Sequence, residues 1–178
     1  MANPGAEDPT LAGWENHGFT SEVYGASPEV PGAAGVAGDG SRLFVAQAAD
    51  TRLTQTVSVA DLAQAIDGSA GQPAGPGLVS LSFGGQVGAY RGRPDSVRVV
   101  LEFLDAAGVP TGSPATVGPQ TPEQRLNDTV LLGCGGLVRP PLGTRQVRLV
   151  LQAVHPSAPA PAARLGPAAG GRAWSGCR

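Results

Sequence analysis

Between Leu78 and Gly108 apolar and polar residues alternate with a period of two, a pattern that suits a β-sheet with one buried face and little else. Val97, Val99, Leu101 and Phe103 fall on one face of an extended strand. Arg98, Glu102 and Asp105 fall on or near the other, interrupted by Val100 and Leu104. The preceding stretch repeats the pattern, with Val79, Leu81 and Phe83 inward and Ser80 and Ser82 outward. The intervening GGQVGAYRGRPD reads as the loop of a hairpin that displays Tyr90, Arg91 and Arg93.

The rest of the chain extends this scheme. Phe19 to Tyr24, Arg42 to Ala48 and Arg52 to Ser58 read as strands before the central pair, and Leu126 to Cys134 and Gln146 to Val154 as strands after it. Val147, Leu149 and Leu151 supply the buried face of the last one. Val59, Leu62, Ala63 and Ile66 have helical spacing, with Ser58 and Asp61 spaced as an N-terminal cap. Many short strands, frequent turns and one short helix predict an all-β antiparallel sandwich or jelly roll. A parallel α/β fold would need a helix between most strands.

At 178 residues the chain is expected to hold one domain with an ordinary core. A net charge of −2 gives no electrostatic case for nucleic acid or an anionic membrane. No stretch is long and apolar enough to span a bilayer, and MANPGAEDP lacks the basic and apolar regions of a signal peptide. An intracellular protein and a mature module excised from a larger parent both fit that start. Of the two cysteines, Cys134 is expected to be buried as a small apolar residue, unpaired with the near-terminal Cys177.

Several motifs occur in a particular order. Asn3-Pro4-Gly5-Ala6-Glu7 is followed by Gly13-Trp14, then Leu53 to Val57, Ile66-Asp67, Phe103-Leu104-Asp105-Ala106 with Gly108, and Gly143-Thr144-Arg145. From Asn3 to His155 this order resembles the galactose-binding-like jelly rolls, which include bacterial carbohydrate-binding modules and discoidin-like domains, in the form they take in secreted actinobacterial proteins. The resemblance implies a non-catalytic, extracellular or surface-attached, lectin-like domain that binds glycan. It also raises a structural calcium ion, for which Glu7 and Asp39, with Asp8, are the candidate ligands. Calcium takes six to eight oxygens, more than these acids supply alone.

The chain departs from that family after residue 155. The family's closing strand, with its acidic pair, is replaced by a segment rich in Pro, Ala and Gly. Residues 156–178 are therefore expected to be a disordered tail, or the product of a shifted reading frame, that Pro156, Pro159, Pro161 and Pro167 bar from a central strand. Loss of that strand would leave a sheet edge open for self-association.

For ligand binding the candidates are Tyr90, Arg91 and Arg93 on the loop, with Trp14 and Tyr24 as further aromatic surfaces. Trp14 and Tyr24 are better explained as core or rim packing. Gln55 and Gln86 could meet sugar hydroxyls on a sheet face. His17 and His155 have no partners at zinc-ligand spacing. No nucleophile elbow, phosphate loop or dinucleotide fingerprint occurs. Glu102 and Asp105, on opposite faces, do not form a glycosidase pair. The expected function is carbohydrate binding through the end loops or the concave face. A protein-interaction sandwich, recruiting a partner through an open edge and the tail residues Leu165 and Trp174, is the alternative.

Overall fold

The computed structural model describes residues 1–32, 40–68 and 79–154, and the backbone of two short strands at 163–166 and 176–177. The strands are β1 (Glu15–His17), β2 (Phe19–Val23), β3 (Arg42–Ala46), β4 (Arg52–Ser58), β5 (Leu81–Ala89), β6 (Ser96–Leu104), β7 (Ala115–Val117), β8 (Val130–Val138), β9 (Gln146–Val154), β10 (Ala163–Gly166) and β11 (Gly176–Cys177). A 3-10 turn at Ala60–Leu62 leads into one short helix, α1 (Ala63–Asp67). Every described pairing is antiparallel. One sheet runs β1-β4-β9-β6-β7 and the other β11-β8-β5-β10-β3-β2. The chain is an all-β antiparallel sandwich with one short helix, as its alternation predicts.

The core lies between the sheets. From the first come Leu53, Val97, Val99, Leu101, Phe103, Leu149 and Leu151; Phe19, Phe44, Ala46, Val87 and Cys134 meet them from the second. Phe44, Val97, Val99 and Leu151 are wholly inaccessible to solvent. Each such side chain contributes roughly 1.5–3 kcal/mol by leaving water. Strand β3 is buried on both faces, because Leu43 and Val45 on its outer side pack against Val30, Tyr24 and Leu131.

The central hairpin of the sequence reading is not a hairpin. Strand β5 pairs with β8 and β10, and β6 with β9 and β7, so residues 90–95 carry the chain from one sheet to the other. Alternation fixes which face a strand buries but not which strand lies beside it. Strand β5 also continues through Gly84-Gly85-Gln86-Val87-Gly88-Ala89, read from sequence as part of the loop. A Cβ at Gly84 would collide with the Cys134 carbonyl and one at Gly88 with the Val130 carbonyl, so here glycine permits close approach of β8 rather than marking a turn.

Other differences follow from local chemistry. The expected strand at 126–134 begins at Val130, because 126–129 belongs to a turn. The Ser58–Asp61 cap does not form; the Ser58 hydroxyl accepts a bond from the Ala60 amide, and α1 has no side-chain cap. Strand β10 occupies a central place between β3 and β5, which corrects the view that the terminal segment could hold no inner strand. Its four residues, Ala163–Gly166, fall between Pro161 and Pro167 and contain no proline. Of the four described edge strands, β1, β7 and β11 are two or three residues long, too short to offer much template to another chain, and β2 is five.

Cys134 is disulfide-bonded, not unpaired. The chain's second cysteine, Cys177, lies directly opposite it in the β8–β11 pairing. Sequence reasoning dismissed that bond because it treated the terminal segment as unattached. Closing a loop of this length constrains the unfolded chain by roughly 2–4 kcal/mol. Replacing Cys134 with Ala should therefore lower the Tm by several degrees, and native protein should titrate with no free thiol. A full complement of two reactive thiols in the native state would show the pairing to be wrong.

Candidate functional site

The outer face of the five-stranded sheet is built in three cross-strand rows. Thr56, Arg148 and Glu102 form one; Thr54, Val150, Val100 and Thr116 the next, with Glu15 beside Thr54; and Arg52, Gln152 and Arg98 the third, with His17 beside Arg52. These positions alternate with the core residues Leu53, Leu149, Leu151, Val99 and Leu101. Most of them, with Pro114, line an open groove of about 540 Å³ across the sheet. Val100 and Val150 form an apolar floor, each less than a tenth exposed.

Polar groups stand around that floor in fixed pairs. The Arg148 Nε donates to Glu102 Oε2 at 2.6 Å, and the two side chains form an ion pair. Arg98 donates through Nε and Nη2 to the Gln152 Oε1 at 3.0 and 2.7 Å. Glu15 binds His17 Nε2 at 3.2 Å through one oxygen and accepts the Thr54 hydroxyl at 3.1 Å through the other. Hydrogen bonds from His17 and then Thr54 hold its carboxyl below the usual range. An apolar strip bordered by such groups can receive a flat, hydroxyl-rich ligand.

The residues expected to bind ligand from the sequence are placed elsewhere. Tyr90 is half-buried on the 90–95 crossover, with the Arg91 and Arg93 guanidinium carbons 5.2 and 5.7 Å from its ring centre. Its own arginines lie over the ring, so a sugar stacking there would have to displace one of them. Arg125 holds this turn from beneath. It is 1% exposed and donates to the carbonyls of Ala89, Arg91, Arg93 and Asp128. Burial lowers its pKa, and the nearby Asp95 and Glu123 charges oppose that shift.

Trp14 packs edge-on against Phe44, ring centres 5.3 Å apart, and its Nε1 donates to the Asn3 carbonyl. Tyr24 packs over Val30, Leu43 and Val45, and burial followed by the Glu7 charge pushes its hydroxyl up to about 12. Neither ring lines the groove. Gln55 is a clamp, bonded to both backbone atoms of Ala2 and to the Gly13 carbonyl.

Glu7 lies on the surface and accepts bonds from the Ser41 amide and hydroxyl and from the Arg42 amide. Partial burial raises its pKa, but the Ser41 hydroxyl and the two amides outweigh it and leave the carboxyl below its ordinary value. Both oxygens thus serve N–H and O–H donors, and Asp39 lies outside the described residues. Among the described residues no three His, Cys, Asp or Glu side chains are grouped to hold a metal ion. The motifs behind that resemblance act as fasteners. Asp67 at the end of α1 receives the Gly143 amide and the Arg145 guanidinium, joining two of them across the fold.

Comparison with known structures supports the fold. The chain superposes on the enzymatically active domain of tailspike protein 4 of bacteriophage CBA120 with TM-score 0.58 at 12% identity, covering 93% of this chain and 20% of that one. It superposes on TmCBM61, solved with β-1,4-galactotriose, with TM-score 0.50 at 16% identity, covering 93% and 91%. A family 22 carbohydrate-binding module of Clostridium thermocellum Xyn10B gives TM-score 0.46 at 14% identity over 96% and 98%. The fold is similar to that of TmCBM61. No protein-family model and no curated protein sequence matches the chain.

Two outcomes test these placements. Arg125→Met should cost about 3 kcal/mol of stability, since it strips four carbonyls of a buried charged donor. A change below 1 kcal/mol in a denaturant titration would mean that the turn is held otherwise. Glu7 has a lowered folded pKa, so its contribution is present above the ordinary carboxylate value of 4.5 and is lost as pH falls through the folded one. The fall in Tm between about pH 5 and pH 3 should be shallower for Glu7→Gln than for the native chain. Parallel curves would remove Glu7 from that role.

Proposed function

We propose that this chain is a non-catalytic carbohydrate-binding module of a secreted or surface protein, and that glycan lies in the groove across the five-stranded sheet. The observation that carries the reading is the groove itself. An apolar floor of Val100 and Val150 can take the C–H face of a sugar, and Arg52, Thr54, Arg98, Arg148 and Gln152 around it can meet hydroxyls. The sandwich shared with TmCBM61 favours the same class of ligand.

In this reading the two carboxylates of the groove are engaged by neighbouring side chains rather than set as a catalytic pair. Glu15 and Glu102 stand on strands three places apart, about 14 Å between backbones. A glycosidase holds its carboxyls within roughly 5–9.5 Å, with one pKa raised to serve as acid. Glu15 is shifted downward, and Glu102 is engaged by Arg148. The tailspike domain is described as enzymatically active, but this chain spans only a fifth of its length.

Secretion is supported by the Cys134 disulfide, which persists in oxidising compartments. No helix among the described residues is long and apolar enough to cross a membrane. The Tyr90 turn is a secondary contact in this reading. It stands at the end of the sandwich where β6 begins, which is also the Arg98 end of the groove, so a glycan chain leaving the groove there would pass Tyr90, Arg91 and Arg93.

Glycan-array screening followed by titration calorimetry tests the proposal. Arg148→Ala with Glu102→Ala removes both halves of a half-buried ion pair together, leaving neither charge unpaired, so stability should change by less than about 1 kcal/mol. Affinity for the best glycan should fall at least about fivefold, and by about twofold for Tyr90→Ala. Failure of the native protein to bind any plant, fungal or bacterial polysaccharide would defeat the reading.

A further inference from the structure

The third row of the groove differs from the other two. In the first, Arg148 is neutralised by Glu102. Glu15, in the second, is held by His17 and Thr54, and the charges acting on it are those of His17 and then Arg148. Arg98, in the third, is tied to Gln152, a neutral amide, through two of its nitrogens. Arg52, on the far side of Gln152, is exposed and has no hydrogen bond or ion pair among the described residues. Neither Arg52 nor Arg98 is thus ion-paired with a carboxylate among the described residues, in a protein whose net charge is negative.

The chemistry of the row is one-sided. Guanidinium groups donate and never accept, and the Gln152 carbonyl oxygen is already occupied by Arg98, which leaves its amide N–H groups facing a ligand. A sugar hydroxyl can accept a bond from such donors, but it carries no charge to offset a guanidinium. A carboxylate accepts only, and the planar fork of Arg matches its two oxygens. Arg52 and Arg98 stand two strands apart, about 10 Å between backbones, which leaves room for one pyranose ring between the guanidinium groups.

We propose that Arg52, Gln152 and Arg98 form a carboxylate subsite, so that the glycan taken by this groove is a uronate-bearing polysaccharide rather than a neutral one. The inference rests on the groove reading above and narrows it. The ring lies over Val100 and Val150 while its carboxylate engages one guanidinium and its ring or hydroxyl oxygens meet the Gln152 amide and the other. Sequence alternation put Arg98 on the outer face; Arg52 and Gln152 join it only through the register of β4, β9 and β6.

The test is titration of the full chain with oligomers of polygalacturonate, alginate and glucuronan, each beside its carboxyl-reduced counterpart, and with a neutral galactan, at physiological ionic strength. At least one uronate oligomer should bind about tenfold or more tightly than its reduced form. Arg52→Gln with Arg98→Gln should remove that preference, so that the variant binds a uronate oligomer and its reduced form within about twofold of each other. Equal affinity for native and reduced oligomers overturns the subsite but leaves the groove reading standing. The same follows if the variant loses both alike, or if dextran sulfate competes as well as any uronate. Absence of binding to every oligomer, acidic or neutral, removes both.

Discussion

The packing of β6 and β9 against the opposite sheet is the constraint from which the rest of the molecule follows. Val97, Val99, Leu101 and Phe103 are fixed in the core together with Leu149 and Leu151. Because side chains alternate, the same backbone that buries these residues must present Arg98, Val100, Glu102, Arg148, Val150 and Gln152 on the outer face. A slip of one residue would move the whole core set to solvent, so the register is strongly held. The groove is a by-product of the core and inherits its rigidity.

That rigidity suits recognition by pre-formed polar groups. Arg148 and Arg98 are each held by a partner across the β6–β9 pairing, so little side-chain freedom remains for a ligand to remove. Among the described residues lining the groove there is no Phe, Tyr or Trp, and its apolar part is the narrow Val100–Val150 floor. Hydrogen-bond donors outweigh stacking surface there, which argues for modest affinity set by polar complementarity. The end turns are braced separately, by Arg125 under residues 89–93 and by the Asp67–Arg145 pair beside α1.

The fold class was legible because it depends only on periodicity. Strands β4 and β9 have the bounds their alternation implies, and the inward set of β6 is the buried one. Partnership was not legible, since residues 90–95 look the same whether they close a hairpin or cross between sheets. Gly84 and Gly88 misled for a related reason: glycine that admits a neighbouring backbone cannot be told by sequence from glycine that makes a turn. The Cys134 bond was missed because its partner lies in a stretch whose prolines argued against any strand.

The groove was half legible. Outward Arg98 and Glu102 were visible from β6 alone, and Val100 looked like a flaw in the pattern until it proved to be a floor. Arg52, Arg148 and Gln152 needed the cross-strand register to join them. Aromatic residues drew the sequence reading towards Tyr90, Trp14 and Tyr24, whose rings the structure engages with arginines, Phe44 and a satellite core. The most direct measurement of where ligand lies is backbone amide chemical-shift mapping during titration with the best-binding oligosaccharide. The largest shifts should fall on residues 52–54, 98–102 and 148–152. Shifts confined to the opposite sheet or to the 26–31 loop, with those three segments silent, would contradict the assignment of the groove.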